Sequence, residues 1–161
     1  MTPTAKAPLL IARHARAAAS APSGRDFDRP LDATGRFDAA EMGARLVAEG
    51  WALGHLVLSP ALRCRETAAA LSAPQAPLSE REEPRFYSGG VEAYQAVIEA
   101  AAPDASMTLI GHNPSVDQLA RLLLGEAEAA RHLPFGFPPG AVLCLDRQAD
   151  GSVLFLAFLQ P

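Results

Sequence analysis

The sequence predicts an α/β fold, a three-layer sandwich with a mostly parallel sheet between two layers of helices. Short, continuously apolar runs, typical of strands buried on both faces, alternate with segments of helical period. The last two apolar runs flank Ala149, Asp150 and Gly151, which predicts an antiparallel hairpin at the C-terminal end. At 161 residues, the chain has the length of one domain, which we expect to span 1–161.

The first half of the chain gives two strands and two helices. Residues 8–12 form an apolar strand, and a helix follows between Gly35 and the stop at Gly50. Four residues of this helix fall on one apolar face: Phe37, Ala40, Ala44 and Val47. Residues 55–60 read as a second strand, and a helix begins directly after Pro60.

The second half begins with residues 72–90, which are rich in proline and polar residues and are predicted to form a loop. A helix over 91–101, a strand over 106–111 and a helix over 115–125 follow. The predicted hairpin occupies 141–159. Strands that alternate with helices favour a sheet built through right-handed crossovers.

Composition narrows the possible partners. Hydrophobic residues make up 49% and charged residues 20%, which is typical of a soluble globular protein. A formal charge of -4 argues against a surface that binds nucleic acid. No apolar run approaches the ~20 residues that a membrane-spanning helix needs, so no membrane partner is expected.

Cysteine usage and the N-terminal residues indicate the compartment. Cys64 and Cys144 are too few for a secreted disulfide framework, and we expect both to be free thiols in a reducing cytosol. Charged residues between 13 and 16 interrupt the first apolar patch, so we expect no cleaved leader. A cytoplasmic monomer is the expected state, since no heptad pattern is present.

Three predicted strands end in residues that suit phosphate chemistry. The first ends at Arg13 and His14, the second is followed by Arg63, and the third leads into His112. Ligands of open α/β sheets gather at the carboxyl ends of the strands. Arginines can hold phosphoryl oxygens there, and a neutral imidazole can attack phosphorus.

A metal site is the competing interpretation of the two histidines. No third histidine, cysteine or carboxylate has convincing ligand spacing, and flanking arginines repel a cation. His55 and His132 have no comparable context, and we interpret them as surface residues, the first starting a strand and the second in a proline-rich loop.

Four segments, "LLIARHA", "DRPLDATG", "LVLSPALRCRETA" and "LIGHNP", together resemble the histidine phosphatase (phosphoglycerate mutase-like) superfamily. The short chain and the Arg-Pro-Leu element are most similar to SixA-type phosphohistidine phosphatases. The resemblance implies a phosphoglycerate mutase-like fold, no metal and no cofactor. It also implies roles for five residues. His14 would be the phosphorylated nucleophile, and Arg13, Arg29, Arg63 and His112 would hold the phosphoryl group.

Two departures from the family pattern concern the chemistry. Ala15 stands where the commonest motif has glycine. Larger members also carry a carboxylate that protonates the leaving group, but Glu80, Glu82 and Glu83 do not match that motif. A site without this acid would favour phosphohistidine or another activated donor, because imidazole leaves without strong acid assistance.

Three neighbouring features leave alternatives open. Asp26, Asp28 and Asp32 are interpreted as solvated or helix-capping residues. Phe86 and Tyr87 are either pocket-lining residues or core anchors. The segment "FGFPPG" forms either a rim of the cleft or a tight connection.

The favoured function is therefore metal-independent hydrolysis of phosphohistidine on a protein partner, through a covalent phosphohistidine at His14. The alternative enzyme is a phosphatase for a small phosphorylated metabolite or nucleotide. A mutase ranks lower, because it needs an enclosed site and a clear acid-base residue. The alternative outside enzymes is a phosphate-binding module without turnover.

Overall fold

A computed structural model describes residues 7–161, and the first six residues of the predicted domain lie outside that range. Within it, six strands form one sheet in the order β3-β2-β4-β1-β5-β6. The strands are β1 Pro8–Arg13, β2 His55–Leu58, β3 Ser79–Glu82, β4 Met107–Gly111, β5 Val142–Arg147 and β6 Val153–Leu159. The first four are mutually parallel, and β5 and β6 are antiparallel to their neighbours. The mixed sheet and the C-terminal hairpin confirm the predicted fold class.

Helices cover both faces of the sheet. They are α1 Ala33–Ala48, α2 Leu62–Ser72, α3 Arg85–Ser88, α4 Val91–Ala100, α5 Ser115–Leu124 and α6 Glu126–His132, with a short 3-10 helix at Asp26–Asp28. One hydrophobic core joins α1 and α2 to the sheet, and a second core joins α3, α4 and α5, with Leu133 after α6, to the opposite face. Alternate strand residues supply the two cores, as the pleat requires: Leu10 faces the first, and Leu9 and Ile11 face the second.

The parallel register brings three strand ends to one edge of the sheet. Arg13 in β1 lies opposite Gly111 in β4, and Leu58 in β2 lies opposite Ile110. The residues that follow these strands therefore emerge side by side, and the loops that carry them lead into helices. This edge contains the candidate site.

The predicted apolar face of α1 is wrong. Phe37 is 66% exposed and Val47 is 45% exposed, whereas the buried side carries Ala39, Met42 and Leu46 with two glycines. The glycines explain the difference. At Gly43 an added Cβ would lie 2.7 Å from the carbonyl oxygen of Ala70, so α1 approaches α2 too closely for larger residues. The pattern of large apolar residues therefore points to the wrong side of the helix.

The segment predicted as a loop between α2 and α4 contains regular structure. β3 extends the sheet beside β2, although all four of its residues are exposed. Its sequence, Ser-Glu-Arg-Glu, is polar because it forms an edge strand with no buried face. His132, expected in a loop, is instead the last residue of α6, where its ring stacks on Phe155.

The hairpin matches its predicted position. Gly151 adopts a φ of +87° in the turn between β5 and β6, a conformation that favours glycine. Among the described residues, no helix is long and apolar enough to cross a membrane.

The corrected face of α1 makes a stability prediction. Leu46→Ala should lower the free energy of unfolding by about 2–5 kcal/mol, because Leu46 is fully buried. Val47→Ala, one position along the same helix, should change it by no more than about 0.5 kcal/mol. Chemical denaturation of both variants checks this, and equal losses would show that the helix is packed differently.

Candidate active site

A cleft of about 670 Å³ opens at the edge where β1, β2 and β4 end. The five residues to which the resemblance assigns a role all line it, although they come from four separate segments of the sequence. The lining consists of Arg13, His14, Arg16, Ala17, Asp26, Arg29, Arg63, Tyr87, His112, Asn113 and Pro139. Four arginines and one carboxylate give the cleft a positive charge on a chain whose formal charge is negative.

His14 is held in one orientation directly after β1. Its backbone N–H donates to the carbonyl of Gly111 at 3.0 Å, which extends the sheet pairing by one residue. Its Nδ1 lies 2.7 Å from the carbonyl oxygen of Ala15. Because a carbonyl can only accept, Nδ1 carries the proton and the neutral ring keeps its lone pair on Nε2. The side chain is therefore oriented as a nucleophile would need to be.

The surroundings of His14 keep the ring neutral. Its pKa is lowered to about 4, chiefly by burial; the hydrogen bond to Ala15 opposes this, and the charges of Arg63 and Arg13 act in the same direction as burial. Ala15, in place of the commonest glycine, is itself fully buried and donates its N–H to the Thr67 hydroxyl at 3.0 Å. The methyl group of Ala15 packs with Leu31 and Ala39 in a small hydrophobic cluster.

His112 lies beside His14, with ring centroids 5.3 Å apart. Its Nε2 is 2.7 Å from the hydroxyl oxygen of Ser59, and its backbone N–H donates to the Tyr94 hydroxyl at 3.2 Å. The pKa of His112 is lowered to about 3, chiefly by burial and also by proximity to His14 and Arg63. A bound anion would raise this pKa again, because an opposite charge favours the protonated ring.

Three buried nitrogens around the cleft have no hydrogen-bond partner among the described residues. They are Nε of Arg13, Nε of Arg63 and Nδ1 of His112. An unsatisfied buried N–H costs about 1–3 kcal/mol, so such groups are expected to find a partner in a ligand. The two guanidinium Nε–H groups can only donate, whereas Nδ1 of His112 donates only when it carries the ring proton, so the two arginines favour an anion with several acceptor oxygens.

The arginines are fixed by backbone carbonyls. Arg13 donates from Nη1 to the carbonyl of Phe137 at 3.0 Å, and Arg29 donates from Nη1 to that of Ala18 at 3.0 Å. Arg63, 5% exposed at the start of α2, donates from Nη1 to the Asp26 carbonyl at 2.9 Å. Their positions are thus set before any ligand binds.

Arg65, two residues after Arg63 in α2, forms an ion pair with Glu82 outside the pocket.

Asp26 was expected to be solvated or to cap a helix, and its side chain is indeed largely exposed, but it also binds two arginines of the cleft. Its Oδ1 accepts from Nε of Arg29 at 2.9 Å, and its Oδ2 accepts from Nη2 of Arg63 at 3.0 Å. Tyr87 donates to the same Oδ2 at 3.0 Å. Partial burial would raise the pKa of Asp26, but the hydrogen bonds from Tyr87 and Arg63 outweigh it and lower the pKa. Asp26 is therefore a fixed anion inside a cationic pocket.

Asp32 fits the original interpretation, because its side chain accepts from the N–H of Gly35 at 2.7 Å and caps α1. Asp28 also fits, with its carboxylate bonded to the hydroxyl of Ser23 away from the pocket. Asp26 stands three residues before Arg29 in a short helical turn, but Asp28 has the same spacing from Arg25, so the sequence does not separate Asp26 from its neighbours.

The glutamates considered as a general acid lie outside the lining of the cleft. Glu82 is occupied by Arg65. Glu83 is held by two arginines, and the hydrogen bond from Arg85 is the main cause of a pKa lowered to about 2. A carboxylate with so low a pKa is ionised at neutral pH and has no proton to give.

Phe86 and Tyr87 were expected to be either core anchors or pocket-lining residues, and the structure shows one of each. Phe86 is buried and stacks on Tyr94, whereas Tyr87 lines the cleft. Pro139, in the segment "FGFPPG", lines the opposite rim, and the carbonyl of Phe137 accepts hydrogen bonds from Arg13 and Asn113. In the described part of the chain, no three or more His, Cys, Asp and Glu side chains are grouped as a metal would require.

Comparison with known proteins identifies the family. Residues 9–87 match the model of the histidine phosphatase superfamily, branch 1. An uncharacterised protein of Picosynechococcus is 34% identical over 121 residues, which cover 71% of this chain and 72% of that protein.

Solved structures give the same result. The crystal structure of a candidate phosphohistidine phosphatase SixA from Agrobacterium tumefaciens matches with a TM-score of 0.89 and 29% identity. That match covers 96% of this chain and 98% of the other. The protein histidine phosphatase SixA in complex with tungstate matches with a TM-score of 0.79 and 25% identity, over 96% and 97% of the two chains. The chain belongs to the histidine phosphatase superfamily and is SixA-like in structure.

Proposed function

We propose that this protein hydrolyses phosphohistidine on a protein partner, without a metal ion, through a covalent phosphohistidine at His14. The observation that carries the proposal is the arrangement of His14, whose Nδ1–H is tied to a carbonyl in a pocket lined by Arg13, Arg29 and Arg63. Both the phosphohistidine phosphatase and the protein histidine phosphatase among the similar structures support this substrate class.

The reaction takes place in two displacements. The lone pair on Nε2 of His14 forms a bond to phosphorus, and the bond from phosphorus to the leaving group breaks. The arginines neutralise the charge that spreads over the phosphoryl oxygens, with their unpaired N–H groups as donors. A water molecule then attacks phospho-His14, which releases inorganic phosphate and restores the neutral ring.

The leaving group explains the preference for phosphohistidine. Glu82 and Glu83 are ion-paired, Glu80 does not line the cleft, and Asp26 is held ionised by its donors. A simple alkyl phosphate needs a proton on its leaving oxygen, and these carboxylates carry none to supply. A phosphorylated imidazole that is already protonated leaves as a neutral ring, so it suits this site.

The test of this proposal is phosphate release, with EDTA present, from a phosphohistidine-bearing protein, a simple monoester and a sugar phosphate. We expect the wild type to act far faster on phosphohistidine and to incorporate label at His14. Faster turnover of the sugar phosphate would favour the small-metabolite phosphatase. No turnover of any of the three would favour the binding module.

Removal of the nucleophile gives the first site prediction. His14→Ala should lower kcat/KM about a thousandfold or more and abolish label incorporation, because the variant lacks the ring proposed to carry the phosphoryl intermediate. His55→Ala is the matched control, since His55 is exposed at the amino end of β2, the edge of the sheet away from the cleft. Residual phosphorylation of the His14→Ala protein would place the nucleophile elsewhere.

Replacement of an arginine gives the second prediction about the site. Arg63→Lys should reduce kcat/KM about 100-fold, because lysine keeps the charge but loses the planar set of donors. Arg65→Lys, two positions along α2, should leave activity nearly unchanged, as Arg65 is bonded to Glu82 outside the pocket. Steady-state kinetics on the same substrate compare the two, and equal effects would contradict the assignment of Arg63.

The ionisation of His14 gives the third prediction about the site. Its pKa is lowered to about 4, below the ordinary 6.5, so the ring should stay neutral as the pH falls from 7 to 5. The reactive form is therefore fully populated over that whole range. Nitrogen NMR of the labelled ring should show protonated Nδ1, unprotonated Nε2 and no titration above pH 5. A midpoint near 6.5, as in the unfolded chain, would show that burial does not control this group.

A further inference from the structure

Asp26 is the one carboxylate among the residues that line the cleft, as far as the described chain extends. The hydrolysis described above does not use it. Its position is unfavourable for a phosphatase, because a fixed negative charge next to a phosphate site repels the substrate. A carboxylate held there by two arginines and a tyrosine needs a reason other than phosphate binding.

The carboxylate has spare capacity to accept a hydrogen bond. Two carboxylate oxygens offer about four acceptor positions, and Arg29, Arg63 and Tyr87 occupy three of them. Oδ1 accepts from Arg29 alone, and 54% of the side chain is exposed. A donor that enters the cleft can therefore reach Oδ1 without displacing an arginine.

We propose that Asp26 selects substrates with an imidazole leaving group, by accepting a hydrogen bond from the ring N–H that does not carry phosphorus. This inference rests on the proposed function and adds a specificity residue to it. The three donors already on Asp26 fix the direction of the carboxylate, so it can discriminate between leaving groups by position as well as by charge.

The chemistry of the leaving group fits this role. In phosphohistidine one ring nitrogen bears phosphorus, and protonation of the other makes the ring a cation. When Nε2 of His14 bonds to phosphorus, the old N–P bond breaks and its electron pair returns to the ring. The ring departs as neutral imidazole, with its proton still on the second nitrogen. Asp26 stabilises the cation before the step and gains no proton during it.

The same charge disfavours other substrates. An alkyl or sugar phosphate leaves as an alkoxide, and a carboxylate nearby raises the energy of that developing anion. The low pKa of Asp26 supports this, because the group remains anionic at the pH at which phosphohistidine is stable. One side chain thus favours a cationic leaving group and disfavours an anionic one.

The ratio of two activities tests the proposal. Asp26→Asn should lower kcat/KM for a phosphohistidine peptide by about 10- to 100-fold, the effect of losing a hydrogen bond to a charged group. The kcat/KM for p-nitrophenyl phosphate, whose leaving group carries no N–H, should fall by much less, so that the ratio of the two activities drops. Asp28→Asn is the matched control, since Asp28 is two residues away and bonds to Ser23 and Arg25 outside the cleft. It should preserve the wild-type ratio.

A structural effect is separated by the same data. A ratio taken within one variant does not depend on the fraction of folded enzyme. If Asp26 only holds Arg29 and Arg63 in place, Asp26→Asn will reduce both activities and tungstate affinity together, and the ratio will not change. That result would overturn the role of Asp26 and leave the proposed function standing. A wild-type protein that acts on p-nitrophenyl phosphate but ignores the phosphohistidine peptide would instead reject the proposed function.

Discussion

The parallel pairing of β1 with β4 and of β4 with β2 is the constraint on which the pocket depends. The pairing continues one residue past the strands, where the N–H of His14 donates to Gly111 and the N–H of Ser59 donates to Ile110. Successive strand residues point to opposite faces, so a slip of one residue would reverse the direction of each side chain that follows. The two histidines can meet at 5.3 Å only in the observed register.

The neutral state of the histidines follows chiefly from burial, and the arginine charges act in the same direction. Arginine cannot lose its proton at any ordinary pH, so a cluster of guanidinium groups imposes its charge on whatever lies nearby. The histidines respond by remaining neutral, with pKa values lowered to about 4 at His14 and about 3 at His112. The cluster that would bind the phosphoryl group therefore also helps burial to keep the His14 ring unprotonated. Asp26 offsets part of the same charge and helps the cluster to persist without a ligand.

The sequence predicts the buried strands and the residues at their ends, because both are visible as patterns along the chain. Apolar runs locate β1, β2 and β4, and the residues after them locate most of the pocket, because parallel strands must end at one edge. It is less informative where close packing reverses the usual preference for large residues. The buried side of α1 depends on Gly43, which permits contact with α2, and glycine contributes nothing to an apolar pattern. β3 is missed for a similar reason, since an exposed edge strand has no buried face to detect.

Asp26 shows a different limit. Aspartate in a charged loop is usually solvated, and nothing in the local sequence shows that Arg63, 37 residues further on, will bind it. Only the folded chain brings the two together.

Gly111, the glycine of "LIGHNP", is required by close packing against Tyr94. A Cβ at Gly111 would collide with the ring and hydroxyl of Tyr94, so a side chain here would push Tyr94 away. In its place, the Tyr94 hydroxyl accepts from the backbone N–H of His112 and donates to the carbonyl of Phe86, at 3.2 Å in each case. Tyr87, next to Phe86, then reaches Asp26 on the far side of the cleft. Because Gly111 has no side chain, Tyr94 can occupy this space. Its hydroxyl then fixes His112 relative to the segment that carries Tyr87, the residue that donates to Asp26.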